Sequence, residues 1–131
     1  MCGFIALVNN KRIPVDIGSL LKELVHRGPD DHGWLAFGAS QLESEKEDAL
    51  CDAPVLFGHV RLAILDLSEA GHQPMTSADS RYALVFNGEL YNYLELREQL
   101  IEVGCPFRSG TDTEVVLNAI AHWGKQALAR F

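Results

Sequence analysis

Apolar residues recur along this chain at two spacings, which divide it into strands and helices. Phe4 to Val8 is an unbroken apolar run that predicts a short buried strand at the very start. Ile17, Leu20, Leu21, Leu24 and Val25 then fall at i, i+3, i+4, i+7 and i+8, one helical face that Asp16 is placed to cap. That helix must end by Gly28-Pro29, because proline drives the residue before it out of helical space. Gly33 to Gly38 predicts a strand, Val55 to Asp66 a long apolar stretch with Arg61 in its middle, and Tyr82 to Phe86 another buried strand. The acidic segment from Gln41 to Asp52 reads as a solvated loop, and Gly71 to Pro74 as a turn.

Asn87-Gly88 predicts a turn with positive φ, although it ends an apolar run instead of joining two alternating ones. Asn92 with Glu95, and Thr111 with Glu114, have the spacing of capping boxes. The first opens a helix that turns Leu96, Leu100 and Val103 inward and closes at Gly104. The second carries Val115, Val116, Ala119, Ile120 and Trp123 on one side, with Gly124 at its end. Cys105 to Arg108 is at most an edge strand, and Gln126 to Phe131 reads as a further helix. Such alternation, taken alone, suggests parallel βαβ units.

Composition narrows the class. A chain of 131 residues with 47% hydrophobic content is one globular domain at most. Its net charge of −7 leaves no basic cluster to neutralise phosphates, which argues against nucleic acid or an anionic membrane as partner. Cys2, Cys51 and Cys105 form no CxxC pair, so neither a disulfide framework nor a metal site is expected, and a reducing, cytoplasmic setting fits best. No apolar run approaches the ~20 residues of a membrane span, and no secretion signal is visible at the start.

The candidate chemistry begins at Cys2. Removal of Met1 would leave a thiol and a free α-amine on one residue, and an α-amine titrates near ~7.7–8. Such an amine can take the thiol's proton, directly or through a water, and so activate the sulfur. The alternative is an inert cysteine at a frayed terminus. Arg61, inside an apolar stretch, needs a carboxylate partner from the protein or from a ligand. Asn87 and Gly88 offer an amide and a backbone N–H at a strand end, either a plain turn or an oxyanion hole. Asp112 either caps its own helix or binds a cation.

Six motifs then appear in a characteristic order: Met1-Cys2-Gly3; His26 to Asp30; Gly58 to Asp66; Gln73-Pro74-Met75; Phe86 to Asn92; and Ser109 to Glu114. In these the whole chain, residues 1–131, resembles the class II glutamine amidotransferase domain of the N-terminal nucleophile hydrolases. Within that class it is most similar to the amino-terminal glutaminase domain of glutamine-hydrolysing asparagine synthetases. The resemblance implies an α+β fold, a four-layer αββα sandwich with the cysteine at the end of a central strand. It implies that Cys2 attacks glutamine, that Asn87 and Gly88 hold the oxyanion, and that Arg61 grips the substrate carboxylate. Asp112 and the backbone near Glu89 would hold the α-ammonium, and the backbone of Leu62 and Ile64 would line the pocket.

The resemblance further implies L-glutamine as substrate and no cofactor in this segment. ATP and Mg would serve a synthetase domain of the same full-length chain, which would pass ammonia to an activated acceptor, aspartate by closest likeness. A sugar or another carboxylate as acceptor stays open, and a homodimer is favoured. Family members continue past residue 131, so the expectation is a truncated domain that lacks its last strands and is poorly stable or inactive alone. The other reading left open is a non-catalytic regulatory or dimer-forming module. His26 and Arg27 lie in a family motif without a role that the residues themselves reveal, and Cys51 and Cys105 read as packing residues.

Overall fold

A computed structural model describes residues 2–38 and 50–131. The chain divides into two compact units, Met1–Ala63 with His72–Pro74, and Ile64–Gly71 with Met75–Phe131. Each has its own hydrophobic core.

The first unit is built on β1 (Gly3–Val8), β2 (Val15–Asp16), α1 (Ile17–Leu24), β3 (Asp31–Phe37), β4 (Leu50–Cys51) and β5 (Val55–Arg61). Its main sheet has the order β1-β5-β3 and every pairing in it is antiparallel, with Gly3 opposite Val60 and Asp31 opposite Arg61. The parallel units that alternation suggests are therefore not what forms. β1 is a strand as expected, but among the described residues it lies at the edge of the three-stranded sheet, not its centre, and it is not buried throughout. Because side chains alternate across a strand, Ile5 and Leu7 pack on the core while Phe4 and Val8 stay exposed. Gly58 lets α1 come close: a Cβ there would sit 3.0 Å from Leu21 Cδ2. The core then joins Ile17 and Leu21 to Trp34, Ala36, Leu56 and Val60.

Asp16 caps α1 as expected, its carboxylate accepting from Ser19 N at 2.9 Å and from Ser19 Oγ at 2.6 Å. The helical face is narrower than its periodicity suggests, since Leu20 and Val25 remain exposed. A 3-10 turn over Val25–Arg27 carries the chain off the helix ahead of Gly28-Pro29. β5 stops at Arg61, so this residue ends a strand instead of interrupting a longer one. Most of the acidic Gln41–Asp52 segment lies outside the described residues, and its end, Leu50–Cys51, is strand β4, paired with β2.

The second unit contains β6 (Met75–Thr76), β7 (Ala83–Leu84), α2 (Tyr93–Glu102) and α3 (Asp112–Trp123). Leu90, Leu96, Leu100, Val115, Val116, Ala119 and Ala127 form its core. The strand expected over Tyr82–Phe86 shrinks to the two residues of β7, paired with β6. Asn87-Gly88 does not take positive φ, because the chain passes through a bend without returning as a hairpin. Gly104, at φ +87°, does end α2 as expected, but Val103 is exposed. Asn92 makes no side-chain cap, because its amide donates to Arg130 O at 2.7 Å instead. No strand is found over Cys105–Arg108, and the last segment is a 3-10 helix, Gly124–Ala129. No described helix is long and apolar enough to cross a membrane.

Two outcomes follow. Hydrogen bonding to Ser19 holds the Asp16 carboxyl below its ordinary range. The stabilisation this gives α1 is complete above the ordinary carboxylate range and is lost as pH falls through the lowered folded value. Asp16→Asn should therefore flatten the acid limb of a pH titration of thermal stability, and an unchanged limb counts against the cap. Thr111, the α3 cap, accepts from Glu114 N at 3.2 Å. Thr111→Ala should cost about 0.5–2 kcal/mol in urea unfolding.

Candidate active site

The first unit holds Cys2, Arg61 and Leu62. Cys2 immediately precedes β1; its Sγ accepts a hydrogen bond from Leu62 N at 3.3 Å, and its thiol donates to Leu62 O at 3.7 Å. The thiol thus lies along the backbone of the residue that follows β5. The N–H and the carbonyl of one residue thus bracket the sulfur and fix its position at the end of β5. Arg61 is buried at the end of β5.

Three residues of the His26–Asp30 motif hold this arrangement, and sequence reasoning gave them no role. Arg27 Nε donates to Cys2 O at 3.1 Å, tying down the cysteine through its own carbonyl. At Gly28 a Cβ would lie 2.5 Å from Val60 C and 2.6 Å from Arg61 N, so only glycine lets the two backbones approach. Asp30 N donates to Arg61 O at 3.0 Å, and Asp30 Oδ2 accepts from Ala63 N at 2.8 Å. The available signal was the Gly-Pro pair beside three polar residues, which marks a close backbone crossing. Within the same unit His72 Nδ1 meets Asp31 Oδ2 at 2.9 Å, joining the His72–Pro74 segment to β3.

The second unit holds the remaining expected residues. Asn87, Gly88 and Glu89 are exposed and lead into buried Leu90, whose N–H donates to Asp112 Oδ2 at 2.9 Å. Asp112 therefore does not cap its own helix; Thr111 does that. Its other oxygen takes no hydrogen bond from the described residues. Ile64 is exposed and belongs to this second unit, apart from Leu62 in the first.

The Ser109–Glu114 segment is braced more densely than a capping box requires. Glu114 reaches past Thr111 to accept from Arg108 N at 2.9 Å, Ser109 N at 2.7 Å and Ser109 Oγ at 2.7 Å. Asp66 Oδ2 accepts from Gly110 N at 2.8 Å. Buried Glu114 is a carboxylate satisfied by protein donors, the condition under which an acid tolerates burial. Cys51 sits in the first core and burial pushes the Cys105 thiol up, so both suit the packing roles expected of them.

A thiol leading the first strand of an antiparallel α+β fold, under a backbone N–H, is consistent with the N-terminal nucleophile class of hydrolase, to which the chain's similarity to known proteins assigns it. More narrowly, the chain belongs to the glutamine amidotransferase domain family, whose match runs over residues 1–131. It is 37% identical over 136 residues to asparagine synthetase [glutamine-hydrolyzing] 1 of Bacillus subtilis, covering 99% of this chain and 19% of that protein. Asparagine synthetase 3 of the same organism is 36% identical over 129 residues, covering 94% of this chain and 18% of that protein. Among solved structures, glutamine phosphoribosylpyrophosphate amidotransferase of B. subtilis, complexed with ADP and GMP, matches with a TM-score of 0.67. It is 26% identical and covers 84% of this chain and 29% of its own. The chain thus spans about a fifth of the length of the asparagine synthetases it matches. The amidotransferase resemblance and the α+β fold class hold.

Asp112→Ala should strand the buried Leu90 N–H and lower stability by about 1–3 kcal/mol. Asp112→Asn, which keeps an acceptor oxygen, should recover most of that loss. Equal losses for the two variants in urea unfolding would show that charge, not the hydrogen bond, is what matters there.

Proposed function

We propose that this domain hydrolyses the side-chain amide of L-glutamine to glutamate and ammonia, with Cys2 as nucleophile. Once Met1 is removed, the α-amine of Cys2 accepts the thiol proton and the sulfur attacks the amide carbon. Asn87, through its amide, and Gly88, through its N–H, stabilise the oxyanion; each such donor is typically worth ~10²–10³ in rate. The ammonium form of the amine then protonates the leaving nitrogen, ammonia departs and a γ-glutamyl thioester remains. Water attacks the thioester, releasing glutamate and returning the thiol. Arg61 binds the substrate α-carboxylate, Asp112 and the backbone near Glu89 its α-ammonium, and the Leu62 and Ile64 backbone lines the pocket. A zwitterionic substrate needs both signs of charge.

The observation that carries this reading is the placement of the Cys2 sulfur, fixed on the backbone of Leu62 with its N–H at 3.3 Å, in a chain that matches the glutamine amidotransferase domain family throughout. The names of the B. subtilis relatives support aspartate as the acceptor of ammonia. A synthetase domain in the same longer chain would activate it with ATP and Mg, to which none of the residues named here is assigned. The solved neighbour's name points to a different acceptor, so the choice resides outside the glutamine-binding residues. A cytoplasmic homodimer completes the proposal.

Glutamate release by the intact protein tests it. Cys2→Ser should reduce turnover by about 10³-fold or more, the scale of losing a covalent nucleophile. A diazoketone analogue of glutamine should label Cys2, and intact-mass analysis should find Met1 removed. Turnover that survives in Cys2→Ser would overturn the mechanism.

A further inference from the structure

We infer that Asp30 is a positioning residue that holds the Leu62 N–H on the nucleophilic sulfur; the inference rests on Cys2 being the nucleophile. Asp30 grips the chain on both sides of Leu62. Its N–H donates to Arg61 O at 3.0 Å, and its Oδ2 accepts from Ala63 N at 2.8 Å. Between these two anchors Leu62 has one backbone donor, and that donor meets Cys2 Sγ at 3.3 Å.

The grip is needed because β5 ends at Arg61, so past that point no sheet pairing fixes the backbone. The peptide plane after Leu62 carries Leu62 O and Ala63 N–H, and its rotation would swing that carbonyl toward or away from the sulfur. Leu62 O already accepts from the Cys2 thiol at 3.7 Å. Turned toward a thiolate, that carbonyl would repel it where the N–H attracts it. Fixing the peptide planes before and after Leu62 removes this freedom. Asp30 arrives at the crossing through Gly28, whose lack of a side chain permits the contact with Val60 and Arg61. Arg27, two residues from Gly28's far neighbour Pro29, holds Cys2 O at 3.1 Å, so one short segment anchors both the sulfur's residue and its donor.

An acceptor oxygen is what the geometry requires of the Asp30 side chain, and its negative charge is incidental. Asp30→Asn keeps an acceptor and Asp30→Ala removes it, so the two variants separate these properties. The test is the rate at which Cys2 of the intact protein reacts with iodoacetamide at neutral pH, read by mass spectrometry of the Cys2 peptide. Asp30→Ala should slow that reaction by about threefold or more, the order expected for weakening one exposed hydrogen bond to a charged acceptor. Asp30→Asn should stay within about twofold of the parent. With glutamine as substrate, kcat should fall in Asp30→Ala while KM stays nearly constant.

Circular dichroism and a thermal melt establish that each variant folds, and Asp30→Ser, whose side chain is too short for the same reach, replaces the alanine variant if that one does not. Parent-like reactivity in the folded alanine or serine variant overturns the inference, as does an asparagine variant as slow as alanine. If the parent releases no glutamate yet alkylation follows the expected order, the positioning role stands and the glutaminase reading falls.

Discussion

The hydrogen bond from Leu62 N to Cys2 Sγ is the contact to which the other features of the first unit lead. A cysteine just ahead of the first strand has no sheet pairing of its own to order it, and a thiol has little nucleophilicity until it loses its proton. The first problem is met by backbone. The β1–β5 pairing brings Gly3 opposite Val60, which delivers the preceding residue to the end of β5, where Leu62 waits. Arg27 then takes the backbone carbonyl of Cys2.

The second unit uses the same device on different residues. Leu90 N–H, three positions beyond Asn87, ends on the Asp112 carboxylate, while Glu114 and Asp66 take the N–H groups of Arg108, Ser109 and Gly110. In both units, carboxylates serve first as acceptors for loop N–H groups that no sheet or helix satisfies. A carboxylate so used is fixed in orientation, a condition for any further role in binding a charged substrate.

Legibility from sequence followed the range of the interactions. Helices α1 and α3, with their caps at Asp16 and Thr111, were readable because periodicity and capping act over a few residues. Strand lengths were less so: β1, β5 and β7 are shortened or half exposed by pairings with partners far along the chain, which no local pattern reports. Asn92 shows the limit of a spacing argument, since its amide bonds Arg130, 38 residues away. Cys2 and Asp112 stood out by residue type and position, but the roles assigned to them, and Leu62 altogether, were legible only through family resemblance. Arg27 and Asp30 were not, because their partners are backbone atoms of Cys2, Arg61 and Ala63, and a backbone atom leaves no trace in a residue pattern.

The most direct measurement is an acid quench of the intact protein during turnover with glutamine, followed by mass spectrometry of its peptides. The account predicts a γ-glutamyl group on the sulfur of a peptide that begins at Cys2 with a free amine. A γ-glutamyl group on any other residue, or turnover by protein that still carries Met1, would contradict it.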